Sequence, residues 1–562
     1  MQVDVSRIAW SYPGSYYAFS QMSAYQDEPE GLYIRTLHKD VYRSRIARFV
    51  VLHQGQVIPY REEATATSLS LYSDFGSVKL IFEGTNTIQF YGENVGLGVE
   101  FIRASHVVPA GYHQCDVNCD GQRERVRLTM LQGEMAIESP WNRDNADYVH
   151  VRCEARPTDS SFEGVFELYR DSIVWPARTY PSFAESLAGV EATFAHYLDA
   201  APKLPEHYSD TRELAAYVNW MSVVKPYGHI QRPTMYASKN GMSGIWSWDH
   251  CFHAMAVAEQ DPKLAWHQWM TLFDHQDAFG ALPDTISDGY IIRSYVKPPI
   301  HGFALQWMMT HTDGITKDML AEAYSPLSKW THFWLKYRDS DDDGIPEYHN
   351  GNDSGWDNST IFYDGIPLES PDLSTYLIIQ METLAKIAHQ LGKVEEGRQW
   401  TQQADQLLAN MLEHFIVGGV LRAKRSGSHE VVDSKSLIMF IPLLLGERLP
   451  KSIRDRMIEE LQVEGAFLTK YGLSSERLDS DRYEEDGYWR GPIWAPPMFI
   501  LSHALREIGD ITFSRELARR FCDLVALSGM AENFQAGTGK PLRDPGIVWT
   551  SSVFLLLGSK YL

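Results

Sequence analysis

Leu437-Ile438-Met439-Phe440-Ile441-Pro442-Leu443-Leu444-Leu445 is an unbroken apolar run without a charged or hydrogen-bonding side chain. It falls well short of the roughly 18 residues that would suggest a membrane span. It also lacks the polar stripe of a helix lying on a protein surface. A helical segment apolar on all sides is buried on all sides, which requires an inner layer wrapped by an outer one. Working outward from this run, the chain has a helical period from about Pro205 onward. Helices are predicted to begin near residues 207, 246, 262, 301, 317, 371, 394, 433, 451, 493, 512 and 547. Twelve helices in roughly 360 residues are enough for six α/α pairs to close into a barrel. No sequence period recurs, which argues against an open solenoid.

Before that point the pattern is different. Leu32-Tyr33-Ile34-Arg35-Thr36-Leu37, Ile46-Ala47-Arg48-Phe49-Val50-Val51-Leu52 and Val78-Lys79-Leu80-Ile81-Phe82 are short and β-prone, separated by turn residues such as Glu83-Gly84-Thr85-Asn86. They predict an antiparallel β-sandwich. The expected organisation is a β-sandwich over 1–175, a helical linker over 176–204 bracketed by Pro176, Pro181 and Pro202, and an (α/α)6 barrel over 205–562.

With 562 residues, two domains are the default. A net charge of −22 repels phosphate backbones, so no nucleic-acid partner is expected. No apolar stretch is long enough to span a membrane and no signal peptide is evident, so the expected location is cytoplasmic. Cysteines are five and scattered, which suits a reducing compartment. Cys115 and Cys119 have no second Cys/His pair at zinc spacing, so zinc is not expected there. Thirteen of the sixteen tryptophans follow residue 200, which places the aromatic-rich chemistry in the helical part.

Four segments there mix aromatics with carboxylates, amides and cations where a turn meets an apolar helix. They are Gly244-Ile245-Trp246-Ser247-Trp248-Asp249-His250-Cys251-Phe252, Gly351-Asn352-Asp353-Ser354-Gly355-Trp356-Asp357-Asn358-Ser359-Thr360, Asp486-Gly487-Tyr488-Trp489-Arg490-Gly491-Pro492-Ile493-Trp494 and Glu532-Asn533-Phe534-Gln535-Ala536-Gly537-Thr538-Gly539-Lys540-Pro541. Sugars bind such mixtures, with C–H faces on indoles and hydroxyls on paired polar groups. Loops at one mouth of a helical barrel would bring these segments together. Asp357 beside Trp356 suits a carboxylic acid kept protonated by desolvation.

Taken together, the four segments resemble glycoside hydrolase family 63 and its clan relatives, the trehalases. The resemblance runs from about His207 to the C-terminus, in the family's motif order. It implies an (α/α)6 barrel and inverting α-glycosidase chemistry. It also implies that Asp357 is the general acid and Glu532 the general base, with Asp249 and Arg490 in the sugar pocket. The α-linkage and the glucose preference come from this resemblance alone, and α-mannosyl or α-glucosyl glycerate is an alternative substrate.

Inversion needs one carboxyl to protonate the leaving oxygen and another to activate water on the opposite face, roughly 6.5–9.5 Å away. Asp353, Glu485 and Asp486 compete for these roles, with Asp353 also suited to capping a turn. Trp246, Trp248, Gln276, Gly355, Trp356, Trp489 and Trp494 join Asp249 and Arg490 as the expected substrate-binding set, although indoles at a helix start also suit a core. Arg490 is expected to meet sugar hydroxyls or Glu532, or else to form an ordinary salt bridge. An acidic aglycone needs a cation, and Arg232, Lys239, Arg293 and Lys297 lie near the motifs. His250, His253 and His275 read as surface or core histidines. No organic cofactor is expected.

Asp339-Ser340-Asp341-Asp342-Asp343-Gly344-Ile345-Pro346-Glu347 repeats the first half of a calcium loop. The expected ligands are Asp339, Asp341, Asp343, the Ile345 carbonyl and Glu347. The twelfth position is Asn350 rather than Glu, so a structural calcium and a plain acidic turn both stand as readings. Two other classes also stand: a sugar phosphorylase or epimerase on the same barrel, and a carbohydrate-binding protein without turnover.

Overall fold

The computed structural model describes residues 1–38, 43–111, 113–172, 174 and 178–562. The expected boundary at 175/176, with Pro176, falls outside the described residues. The chain divides into two compact units. The first comprises Met1–Ala200, Ala216–Lys225 and Ser238–Ser243; the second comprises Ala201–Ala215, Pro226–Ala237 and Gly244–Leu562.

The first unit is built on two antiparallel eight-stranded sheets. One has Arg45–His53 and Gly96–Phe101 at its centre; the other has Glu124–Gln132, Ser161–Tyr169 and Thr87–Glu93. The sheets meet through large side chains: Phe49 and Phe101 of the first lie 5.8 and 6.0 Å from Phe166 of the second. Cys115 and Cys119 lie on one strand four residues apart, on the same buried face. Helix α1, Phe183–Ala200, falls in the expected linker, yet it packs on strands Ser77–Gly84 and Thr87–Glu93. Its buried Phe183, Val190 and Phe194 supply the apolar stripe that this packing requires.

The second unit contains the (α/α)6 barrel. Among the described residues its helices are α2 (Ser209–Ser222, whose last turns cluster with the first unit), α3 (Asp249–Val257), α4 (Pro262–Met270), α5 (His301–His311) and α6 (Lys317–Tyr337). Then follow α7 (Pro371–Gln390), α8 (Val394–Phe415), the 3₁₀ segment Leu437–Arg448, α9 (Lys451–Leu461), α10 (Ala495–Ile508), α11 (Ile511–Ser528) and α12 (Val548–Lys560). The contacts close a ring: α3 meets α5, α5 meets α7, α7 meets the 3₁₀ segment, that segment meets α10, α10 meets α12, and α12 returns to α3.

These six inner elements are the ones buried nearly all round. Every residue of α3 is buried, as is Val548 through Gly558 of α12. The outer helices bury one stripe: in α8 it is Gly397, Trp400, Ala404, Leu407, Met411 and Phe415, at helical spacing. The apolar run around Leu437 takes its place in the inner ring, but as 3₁₀ rather than α. Pro442 lacks an N–H and its ring clashes with an α-helical turn, and Gly446 breaks the segment at φ 58°. No described helix is long and apolar enough to cross a membrane.

Candidate active site

Inner and outer helices alternate along the chain, so the inner ones share a direction and their N-termini collect at one mouth of the barrel. The four motifs lie at these N-termini. Trp246 and Trp248 precede α3, whose first residue is Asp249. The Gly351–Thr360 stretch precedes α7, Tyr488–Trp494 precedes α10, and Glu532 begins the loop that leads to α12. Small ribbons in these loops fix the registration. Trp494 pairs with Asn533 and Phe534 with Pro541, which carries Glu532 to the Tyr488–Trp489 turn. Trp246 pairs with Thr285, which brings in Asp284.

Asn358 ties two of the motifs together. Its amide donates to the Gly487 carbonyl at 3.0 Å and accepts the Trp489 N–H at 2.9 Å. Gly355, at φ 75°, lies so close to the Trp248 ring that an added Cβ would come within 2.7 Å of it. Only glycine satisfies both the left-handed turn and this approach.

Asp357 lies against Lys297, whose Nζ is 3.1 Å from its Oδ1 and 3.3 Å from Asp284 Oδ1, and which donates to the Asn352 carbonyl at 3.0 Å. Burial raises the Asp357 pKa and Lys297 opposes the rise. Burial likewise raises Asp249, to about 7, and Asp284, each also opposed by Lys297. Burial works against the charge of Lys297, but the surrounding carboxylates outweigh it and its pKa is raised. The site therefore holds one buried ammonium among three carboxyls.

Glu532 has different surroundings. Burial, reinforced by the charge of Asp544, raises it to about 7, against a hydrogen bond from the Tyr488 hydroxyl. The charges of Asp357 and Asp249 act on the same hydroxyl, so Tyr488 is within electrostatic reach of both halves of the site. Two carboxyls 175 positions apart in sequence, Glu532 buried and Asp357 half-buried, thus share one mouth, one held by an ammonium and the other by a phenol.

Most of the expected indoles are occupied with one another. Trp489 and Trp494 stack at 4.0 Å, Trp356 lies 4.6 Å from Trp489, and Trp248 lies 5.9 Å from it. All four are at most 2% exposed. Of the five, only Trp246 keeps part of its surface open. Gln276 uses its amide nitrogen on the Gly280 and Pro326 carbonyls. Arg490 pairs with both oxygens of Glu484, at 2.5 and 2.7 Å, and with the Tyr363 hydroxyl, so the salt-bridge reading describes it and Glu532 is not its partner.

The competing acids are also accounted for. Asp353 is fully buried and accepts from the Val296 and His349 N–H groups and from Arg338. Glu485 takes Gln535, and Asp486 pairs with Arg543. Of the four cations considered, Arg232 pairs with Asp274 and Glu322, Lys239 is buried against Ser11 and the Tyr12 and Ser15 carbonyls, and Arg293 donates to the His275 carbonyl. Lys297 alone of these reaches Asp357. His250 and His253 are buried in α3 with lowered pKa values, that of His250 falling to about 4 because of burial. Sequence reasoning did not single out Tyr488 for a role, although it lies inside a quoted motif, and Asp284 carried no signal at all.

The carboxylates of the acidic turn before Asp357 have several partners of their own. Asp339 accepts from the Asp343 and Gly344 N–H groups, and Glu347 from Ser340, with His349 2.9 Å away. Among the described residues, neither joins Asp341 and Asp343 in a convergent cluster.

Comparison with known proteins gives the same direction. The profile of the mannosylglycerate hydrolase MGH1-like glycoside hydrolase domain matches residues 242–550. No curated protein matches the chain in sequence. Among solved structures, a GH63 mannosylglycerate hydrolase from Thermus thermophilus in complex with glucose is similar at a TM-score of 0.54 and 18% identity, over 61% of this chain and 99% of that one. A bacterial glucoamylase complexed with acarbose is similar at a TM-score of 0.61 and 10% identity, over 99% of this chain and 95% of that one. At such identities the likeness is one of fold.

Proposed function

The chain belongs to the mannosylglycerate hydrolase MGH1-like glycoside hydrolase family, and from that premise we propose that it is an inverting, exo-acting α-glycosidase that releases glucose from an α-glucosyl oligosaccharide or small glucoside. Asp357 protonates the leaving oxygen and Glu532 takes the proton of the attacking water. The observation that carries this reading is the pair itself: two carboxyls raised by burial, both of whose charges act on the Tyr488 hydroxyl. A base poised near neutrality accepts a proton well, and a desolvated acid donates one well. Asp249 and Asp284, with Lys297 between them, supply acceptors and a donor for sugar hydroxyls, and the partly exposed Trp246 offers a face for a sugar ring. Catalysis needs no organic cofactor. Five buried, unpaired cysteines support a reducing compartment such as the cytoplasm.

A hydrolase of α-glucosyl or α-mannosyl glycerate is the second reading. The matched family's name and the presence of Lys297 in the site favour it. An acidic aglycone would have to compete with Asp357 and Asp284 for that ammonium.

Proton NMR of the anomeric signals tests both readings, using α-linked glucosyl and mannosyl disaccharides and glycerates. Early release of the β-anomer is expected. The α-anomer appearing first would mean retention and would overturn the assignment of the two carboxyls. Turnover only when phosphate is supplied would mean a phosphorylase.

A further inference from the structure

The turn that resembles a calcium loop has the wrong neighbours for calcium, which takes oxygen ligands. Asp341 and Asp343 face imidazole. His429 Nε2 lies 3.0 Å from Asp341 Oδ2, 3.4 Å from Asp343 Oδ2 and 3.8 Å from Glu369 Oε1. These four ligand atoms all lie within 4.8 Å of one another. The edge of a tetrahedron with ligand bonds of about 2.0–2.1 Å is roughly 3.3 Å, in the middle of the observed separations.

Glu369 gives the independent sign of a missing partner. It is fully buried, and its Oε1 has no hydrogen-bond partner although it is aimed into the cluster. A buried carboxylate oxygen is not left so without cost. Its other oxygen is held by His414 Nε2 at 2.6 Å, which fixes the orientation of the carboxylate. Asp341 is similarly steadied by the Gly427 N–H at 2.7 Å.

We propose that Asp341, Asp343, Glu369 and His429 bind one divalent transition-metal ion of the zinc class, with His414 positioning Glu369. One imidazole with three carboxylates suits such an ion. The ligands come from three separate places: the acidic turn after α6, strand Leu368–Glu369 just before α7, and the loop after strand Lys424–Arg425. Leu368–Glu369 already pairs with Glu347–Tyr348 on one side and Lys424–Arg425 on the other. The ion would clamp one end of this small sheet, and so brace the segment leading to Asp357 without taking part in the reaction.

The test uses the full-length protein, stripped with chelator and dialysed against Zn²⁺, Co²⁺ or Ca²⁺. Elemental analysis is expected to find one zinc per chain, and thermal melting a higher Tm with Zn²⁺ than with Ca²⁺. Cobalt is expected to give the visible bands of a tetrahedral or five-coordinate site. His429→Gln, at a side chain 40% exposed, is expected to fold, to weaken zinc about tenfold or more and to lose the cobalt bands; Glu369→Gln serves as a second variant. Retention of calcium in place of zinc, no bound metal, or unchanged zinc affinity in a folded His429→Gln protein would each overturn the proposal.

Discussion

The loop before α7 and the loop before α12 each bring one carboxyl to the barrel mouth, and they do so by opposite means. Asp357 comes with a cation: Lys297 is within 3.1 Å, and Asp284 and Asp249 share that ammonium. Glu532 is governed instead by a second carboxylate, Asp544, and a phenol hydroxyl, with the charge of Arg543 acting on it least. Both carboxyls are raised by burial; the chief restraint on Asp357 is the Lys297 ammonium, and on Glu532 the Tyr488 hydroxyl. With Glu532 as base and Asp357 as acid, the kcat/KM profile is expected to be bell-shaped and to report the pair.

The largest effects separate the two roles. Asp357→Asn and Glu532→Gln are each expected to lower turnover of an α-linked disaccharide by about 10²–10⁴-fold. α-Glucosyl fluoride distinguishes them, because fluoride leaves without a proton. Asp357→Asn should hydrolyse it at a rate near that of the wild type, and Glu532→Gln should not. The reverse pattern would exchange the acid and the base.

Stability gives the next contrast. A carboxyl raised from 4.5 to about 7 binds its proton more tightly in the folded chain. Its contribution is therefore favourable at low pH and is lost as the pH rises from about 4.5 through about 7. At about 1.4 kcal/mol per pKa unit, Glu532 costs on the order of 3 kcal/mol at pH 8. Glu532→Gln is expected to raise Tm at pH 8 and to change it little at pH 4. Asp357→Asn should gain less at pH 8, because it leaves Lys297 with one carboxylate fewer. Equal gains would mean that the ammonium does not distinguish the two loops.

Lys297→Met attacks that ammonium directly. Without it Asp357 loses the group that favours its anion, so its pKa rises and the basic limb of kcat/KM moves to higher pH. The rate at neutrality is expected to fall about 10–100-fold as three carboxyls are left uncompensated. An unmoved basic limb would remove Asp357 from the role of acid.

How far the sequence reveals this arrangement depends on the kind of residue. The helical half is legible because burial leaves a period: α8 shows its stripe, and the run at Leu437 shows the absence of one. The motif residues Asp249, Asp357 and Glu532 are legible because carboxylates among aromatics at helix starts are unusual. What the indoles do is not legible. Trp248, Trp356, Trp489 and Trp494 look like a sugar platform in sequence, but pack on one another in space, since stacking partners come from different loops. Arg490 looks poised for substrate until Glu484, six residues away, is seen to pair with it through both carboxylate oxygens. Asp284 and Lys297 are isolated residues in ordinary loop sequence; only the pairing of Thr285 with Trp246 and the barrel closure give them a role. The imidazoles at 414 and 429 are hidden for the same reason, lying some 70–90 positions from the acidic turn they face.

Tyr488 gives the finest test of the contrast. Its hydroxyl bonds the Glu532 carboxyl, and its own pKa is raised by burial and by the charges of Glu532 and Asp357. It therefore remains a neutral donor throughout the working range. A donor to a carboxylate favours the anion. Removing it with Tyr488→Phe should raise the Glu532 pKa further and shift the acidic limb of kcat/KM to higher pH. The basic limb, set by Asp357, should stay where it is. The loss at the optimum is expected to be about tenfold, the scale of one hydrogen bond to a charged group. Movement of both limbs together would mean that Tyr488 couples the carboxyls into a single titrating unit, and the distinction between a cation-held and a phenol-held carboxyl would fail.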